Sequence, residues 1–177
     1  MEQHKFIYIA YNKPAGIVCT TEKIEGNIIQ AVGHKENILP VGRLDKDSEG
    51  LILLTNNGAI INKIIHPDFE HEKEYVVTLN LPLRNQFLKQ MAEGIKLDDI
   101  KTKPCKIKAE ANTKRVFRII LKQGLNRQIR RMCAACDYQV IKLQRVRIMN
   151  IKLDKLKLGE WRDLTEDEVA ELFLQLG

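Results

Sequence analysis

Between Val41 and Gly58 the chain reads VGRLDKDSEGLILLTNNG, and no other stretch restricts its folding so tightly. The apolar run Leu51 to Leu54 stands between a polar loop and the turn residues Asn56, Asn57 and Gly58. A short apolar run with such borders reads as a buried strand. Just ahead of it a basic side chain, Arg43, stands two positions before a carboxylate, Asp45. That carboxylate therefore sits on a loop held by a rigid element, where catalytic groups are commonly found.

The rest of the chain divides into short strands and helices. Phe6–Tyr11 is rich in aromatic and β-branched residues and ends at the turn Asn12 to Gly16, so it reads as a strand. Residues 27–32 are a short helix candidate, and Asn57 is placed to cap a helix over Ala59–Ile65 that stops at His66-Pro67. Glu74–Leu79 reads as a strand, and Arg84–Glu93 as a helix entered through Pro82 and closed by Gly94. Cys105–Ala111 and Val116–Leu121 alternate apolar and basic residues, the pattern of strands with one wet, positive face. Asn126 is expected to cap a helix reaching about Cys136, followed by a long strand over Val140–Ile151. Thr165 and Glu168 form a capping-box pattern ahead of a final helix, Val169–Leu176. Mixed elements without strict strand–helix alternation point to an α+β fold.

Charge is distributed unevenly. Residues 101–150 hold 14 Lys/Arg against 2 Asp/Glu, whereas residues 1–100 hold 11 against 14 and residues 151–177 hold 4 against 7. A basic block spread over several elements is the electrostatic footprint of a polyanion, because phosphate contacts release counterions. With 44% hydrophobic and 29% charged residues, the chain has the composition of a globular protein, and 177 residues suffice for one well-buried domain or for two small lobes sharing a cleft. No apolar run approaches the roughly 20 residues that span a bilayer, and the N-terminus does not read as a signal peptide. The expectation is a cytoplasmic protein without a membrane partner, monomeric by default. Cys133 and Cys136 have C-x-x-C spacing, but without a second pair they read as small half-buried thiols, with no disulfide and no zinc site. Residues 45–50 imitate the start of a calcium loop, but the twelfth position is Asn56 in place of a glutamate, so no metal is expected. His66 and His71 read as ordinary turn histidines.

Four blocks in order carry a resemblance. They are Tyr8 to Val18 (YIAYNKPAGIV), GRLD with the strand that follows, His71 to Tyr75 (HEKEY), and Gln123 to Met132 (QGLNRQIRRM). Together they resemble the pseudouridine synthases, specifically the bacterial Rsu/Rlu type that modifies ribosomal RNA. NRQIRRM with the later GEWRDLT is most similar to the RluF subgroup, which acts on large-subunit rRNA. The resemblance implies a mostly antiparallel central sheet in two lobes, with flanking helices and a central cleft. It also implies a single catalytic domain over residues 1–177, without the S4-type RNA-binding domain that most of the group carries ahead of it.

The implied reaction is the isomerisation of a uridine to pseudouridine in 23S rRNA, which is redox-neutral and needs no cofactor. A carboxylate beside the ribose is required as nucleophile or general base. The resemblance gives that role to Asp45, by direct attack or through a glycal, and both routes fit the sequence. It places Tyr75 against the target base and pairs Arg130 with Asp45, while Arg43 fills the space left by the flipped uridine. Arg127, Gln128 and Arg131 are then assigned to phosphate contacts, and Lys106, Lys108, Arg115, Arg118, Lys142, Arg145 and Arg147 to an RNA-facing surface. Three alternatives stand beside this reading: a tRNA substrate, a small-subunit rRNA substrate, and a module that binds RNA without catalysis.

Overall fold

Leu51 to Leu54 is apolar at every position because both of its faces are covered. Successive side chains of a strand point to opposite faces. Leu51 and Leu53 pack in a core with Ala10, Ile60, Ile64 and Leu172, while Ile52 and Leu54 pack on the other side with Ile9, Tyr11, Ile28 and Leu44. The computed structural model describes residues 5–98 and 100–177.

In chain order the elements begin with β1 (Tyr8–Lys13), α1 (Ile28–Val32), β2 (Leu39–Pro40), β3 (Glu49–Thr55) and α2 (Gly58–Ile65). Then come β4 (Lys73–Leu79), α3 (Asn85–Glu93), the small hairpin of β5 (Lys96–Leu97) and β6 (Ile100–Lys101), β7 (Lys106–Ala109) and β8 (Val116–Leu121). The chain closes with α4 (Gln128–Ala135), β9 (Val140–Ile148), β10 (Ile151–Lys152), β11 (Trp161–Asp163) and α5 (Glu166–Leu176). The main sheet runs β11-β1-β3-β9-β4-β8-β7, with β2 beside β3 and β10 beside β9. The expected α+β class and the mostly antiparallel sheet in two lobes are what the structure has.

The two halves of the sheet meet at one parallel junction, Glu49 with Gln144 and Gly50 with Arg145. Every other described pairing in the main sheet is antiparallel. Gly50 has φ +111°, and a Cβ there would overlap the carbonyl oxygen and amide nitrogen of Arg145. Only glycine lets the strands approach so closely. The second half has its own core, built from Val77, Phe87, Met91, Phe117, Ile119, Met132 and Leu143, covered on one face by α3 and α4.

Helix starts follow the sequence unevenly. Asn27 caps α1 through a hydrogen bond from Gln30 N at 2.9 Å, and Thr165 and Glu168 form the capping box of α5. Asn57 does not cap α2; its amide donates to the Tyr8 hydroxyl at 2.9 Å. Asn126 does not cap α4 either, because Arg127 takes the position ahead of the helix at φ +51°. The long strand expected to Ile151 ends at Ile148, turns through Met149 at φ +52° and returns as β10.

Candidate active cleft

Where β3 and β9 part beyond their short junction, a cleft of about 350 Å³ opens between the halves. The first half contributes the loop of residues 41–48, with Arg43, Leu44, Asp45 and Ser48 on its wall. The second half contributes Lys73 and Tyr75 from β4, Arg145 from β9, and residues 123–129 at the start of α4.

The Asp45 loop is pinned from several sides. Leu44 is buried in the core beneath it, Ser48 N donates to Asp45 O at 3.0 Å, and Gly16 N donates to Lys46 O at 2.7 Å. Lys13, fully buried at the end of β1, donates its ammonium protons to the carbonyls of Pro14 and Ile17 at 2.9 Å and of Lys46 at 3.3 Å. Burial pushes the Lys13 pKa down, and the carboxylates of Asp47, Asp45 and Glu49 act in the opposite direction. A buried ammonium needs such acceptors, so the lysine ties the β1 turn to the carboxylate loop.

Arg145 is the least exposed cation of the cleft, at 4%. Its Nε donates to Leu51 O at 2.7 Å and its Nη1 to Arg43 O at 3.5 Å, while its Nη2 is buried without a partner. A buried unpaired donor is costly. On the lining of a cleft, such a donor can receive an acceptor that enters there. Lys73, two residues before Tyr75 on β4, has its pKa lowered by burial first and by the Arg145 charge second.

Arg127, just ahead of α4, and Arg130, within it, reach the Asp45 loop. Arg127 makes a two-pronged bond to Asp47, at 3.0 and 2.9 Å, and its Nη1 lies 3.6 Å from Asp45 Oδ2. Arg130 donates to the carbonyl of Asp47 and to Ser48 Oγ, each at 3.1 Å. The partner expected for Asp45 from α4 was Arg130; the arginine within ion-pair distance is Arg127, because Arg130 starts deeper in the helix and reaches the loop backbone instead. The hydrogen bond from Arg127 holds the Asp47 carboxyl below the usual carboxylate range.

Several residues assigned to RNA stand elsewhere. Gln128 is buried at the cleft wall, and its side-chain oxygen accepts from Leu125 N at 3.1 Å, so it shapes the turn before α4. Arg131 lies beside Asp98 at 3.5 Å. Cross-strand neighbours share a face. Tyr75 pairs with Ile119 and Arg145, whereas Lys106 pairs with Ile120, Lys108 with Arg118 and Glu74 with Arg147. Lys106, Lys108, Arg118, Lys142 and Arg147 therefore lie on the sheet face opposite Tyr75. There Arg118 bridges Glu110 and Glu74, Arg147 binds Glu72 and Glu74, and Lys142 approaches Glu49 at 3.6 Å. Arg115 is exposed in the turn between β7 and β8. Arg145, assigned to the same surface, is inside the cleft.

Sequence reasoning gave Lys13 and Lys73 no role. Both stand in blocks already singled out, so their signal was an apolar strand carrying a lysine. Cys133 is wholly buried against the second core, and burial pushes its thiol up to about 12, which leaves no reactive thiolate at neutral pH. Among the described residues no helix is long and apolar enough to cross a membrane.

Comparison with known proteins agrees with this geometry. The family described as RNA pseudouridylate synthase matches residues 7–135. The chain is 53% identical over 173 residues to the dual-specificity RNA pseudouridine synthase RluF of Salmonella typhi, covering 97% of this chain and 59% of that protein. It thus spans about three fifths of the length of that relative. It is 34% identical to the ribosomal large subunit pseudouridine synthase B of Bacillus subtilis, covering 97% of this chain and 73% of that one. A crystal structure of a pseudouridylate synthase superposes with a TM-score of 0.87 at 34% identity, over 97% of this chain and 75% of the other. The cleft, the sheet around it and the sequence that builds both make this chain a member of the RNA pseudouridylate synthase family.

Proposed function

We propose that this chain isomerises a specific uridine of 23S (large-subunit) ribosomal RNA to pseudouridine, with Asp45 as the reacting carboxylate. The observation that carries the reading is the convergence of Asp45, Tyr75 and the half-satisfied Arg145 on one cleft at the junction of the two half-sheets. The names of the relatives support the substrate class, since one acts on the large ribosomal subunit and another carries dual specificity.

The reaction breaks the bond from uracil N1 to ribose C1′, turns the base and joins C5 to C1′. N1 ends protonated and the C5 proton is lost. Asp45 acts either by bonding to C1′ or by taking a ribose proton to give a glycal. In both routes a fixed carboxylate is needed beside the sugar, and the pinned loop supplies it. Tyr75, half-buried on β4, offers its ring to the base, and Arg43, exposed at the cleft edge, takes the place of the uridine in its stack. Arg145 Nη2 would find its acceptor on the bound nucleotide, and Arg127 supplies countercharge at the rim.

The test is isomerisation of unmodified ribosomal RNA and tRNA by wild type and Asp45→Asn, with the product mapped by chemical tagging and primer extension. Asp45→Asn should lower turnover by at least about 10³-fold while RNA affinity stays within about twofold. If affinity fell in step with turnover, Asp45 would be a binding residue and the assignment would fail.

A further inference from the structure

The Asp45 loop carries a second carboxylate, Asp47, whose partners differ from those of its neighbour. Asp47 takes both prongs of the Arg127 guanidinium, at 3.0 and 2.9 Å, and lies 3.6 Å from Arg130 Nη1. Beside this contact the Nε of Arg130 is buried without a partner, as is Nη2 of Arg145 on the cleft wall. Arg127 and Arg145 line the cleft and Arg130 stands beside Asp47, and of these three guanidinium groups Arg130 and Arg145 each keep one unmatched donor.

A carboxylate bound by two parallel N–H groups presents the same chemistry as two phosphate oxygens, which is why arginine serves both ligands. The Arg127–Asp47 pair is also open to water, with side chains 43% and 51% exposed. Ion pairs so exposed are weak and exchange readily with a competing anion. The same Arg127 Nη1 that binds Asp47 lies 3.6 Å from Asp45, so whatever draws Arg127 away also uncovers the carboxylate.

We propose that Asp47 is an internal stand-in for an RNA backbone phosphate. It holds Arg127 across the mouth of the cleft, and a phosphate beside the target nucleotide displaces it, moving Arg127 off Asp45. This makes Asp47 a positioning residue and Arg127, with Arg130 beside it, the phosphate site. The proposal rests on the reading of the cleft as an RNA site.

The experiment measures binding of a fluorescently labelled RNA hairpin with a uridine-rich loop, over a salt titration. The full chain is compared as wild type, Asp47→Asn, Arg127→Ala and the double variant. Freeing Arg127 from its internal partner should tighten binding about two- to fivefold at low salt. The slope of log K against log salt should stay that of wild type, because the phosphate contact forms in both, whereas Arg127→Ala should flatten it by about 0.7, one single-strand phosphate contact. In the Arg127→Ala background Asp47→Asn should change neither quantity. An unchanged affinity in Asp47→Asn or an unchanged slope in Arg127→Ala overturns the proposal, and so does an equal gain with and without Arg127, which would be only the removal of a negative charge. Asp47→Ser, judged by the same criteria, replaces Asp47→Asn if thermal melting shows that variant unfolded. Wild type that binds no RNA at any salt would overturn the RNA reading itself, whereas normal wild-type binding with an unresponsive Asp47→Asn overturns only the stand-in.

Discussion

Arg145 and Arg147 stand two residues apart on one strand, and plain alternation would put them on the same face. The register of β4 against β9 passes from Glu74 with Arg147 to Tyr75 with Arg145, skipping Val146. This irregularity is a bulge, which re-aims side chains and is common beside functional sites. It turns Arg145 into the cleft and leaves Arg147 to the acids Glu72 and Glu74. The opposite neighbour of Arg145 is Gly50, and Gly50→Ala should destabilise the fold by roughly 2–4 kcal/mol. About 1–3 of that comes from overlap in a packed interior and about 1 from the backbone conformation. The urea midpoint measures it, and a wild-type midpoint would show that the junction can yield. A carboxylate ahead of a buried strand is a local pattern that singles out Asp45, whereas Tyr75 is singled out only by the resemblance of its segment, and the structure lines one cleft with both. The bulge has no local pattern, so Arg145 read as one more basic residue of a wet strand.

Caps show the same division at the scale of the element. The capping box of α5 is written within four residues, and the structure has it: Glu168 N donates to Thr165 Oγ1 at 3.1 Å and Thr165 N to Glu168 Oε1 at 2.9 Å. Arg162 adds two bonds to the same carboxylate, at 2.7 and 2.9 Å, and these hold the Glu168 carboxyl below its usual value. The folded protein therefore keeps Glu168 ionised to lower pH than the unfolded chain does. Its stabilisation is complete above the ordinary glutamate range and is lost as pH falls through the depressed folded-state value. Glu168→Gln should lower stability at neutral pH by about 1 kcal/mol, with the difference from wild type closing in acid. Melting curves at neutral and acid pH check this, and a gap that widened in acid would refute it. Asn57 and Asn126 fit the local cap pattern equally well and fail for tertiary reasons. Tyr8, on β1, claims the Asn57 amide, and the turn that aims Arg127 across the cleft displaces Asn126 from the cap position.

Over the whole molecule, the basic block of residues 101–150 does not become one basic face. Acids from earlier in the chain meet it: Glu70 binds Lys103, Glu74 binds Arg118 and Arg147, and Asp47 binds Arg127. Segment charge is legible in a sequence, but the pairing of segments across a sheet is not, so the block overstated the free positive surface. RNA binding should still weaken with salt, with a slope of log K against log salt of about −2 to −3.5, which corresponds to roughly three to five phosphates. A flat salt titration would remove the electrostatic part of the reading. The sheet order has one more consequence, for biosynthesis. The half formed by β4, β7, β8 and β9 is contiguous, within residues 73–148, whereas the half that bears Asp45 pairs β1 with β11 and buries Leu172 of α5 against Ala10 and Leu53. Contacts so distant in sequence form late. As the chain leaves the ribosome, the half that contributes Tyr75 and Arg145 can settle first, and the carboxylate's own support is sealed only once residues 161–176 have emerged.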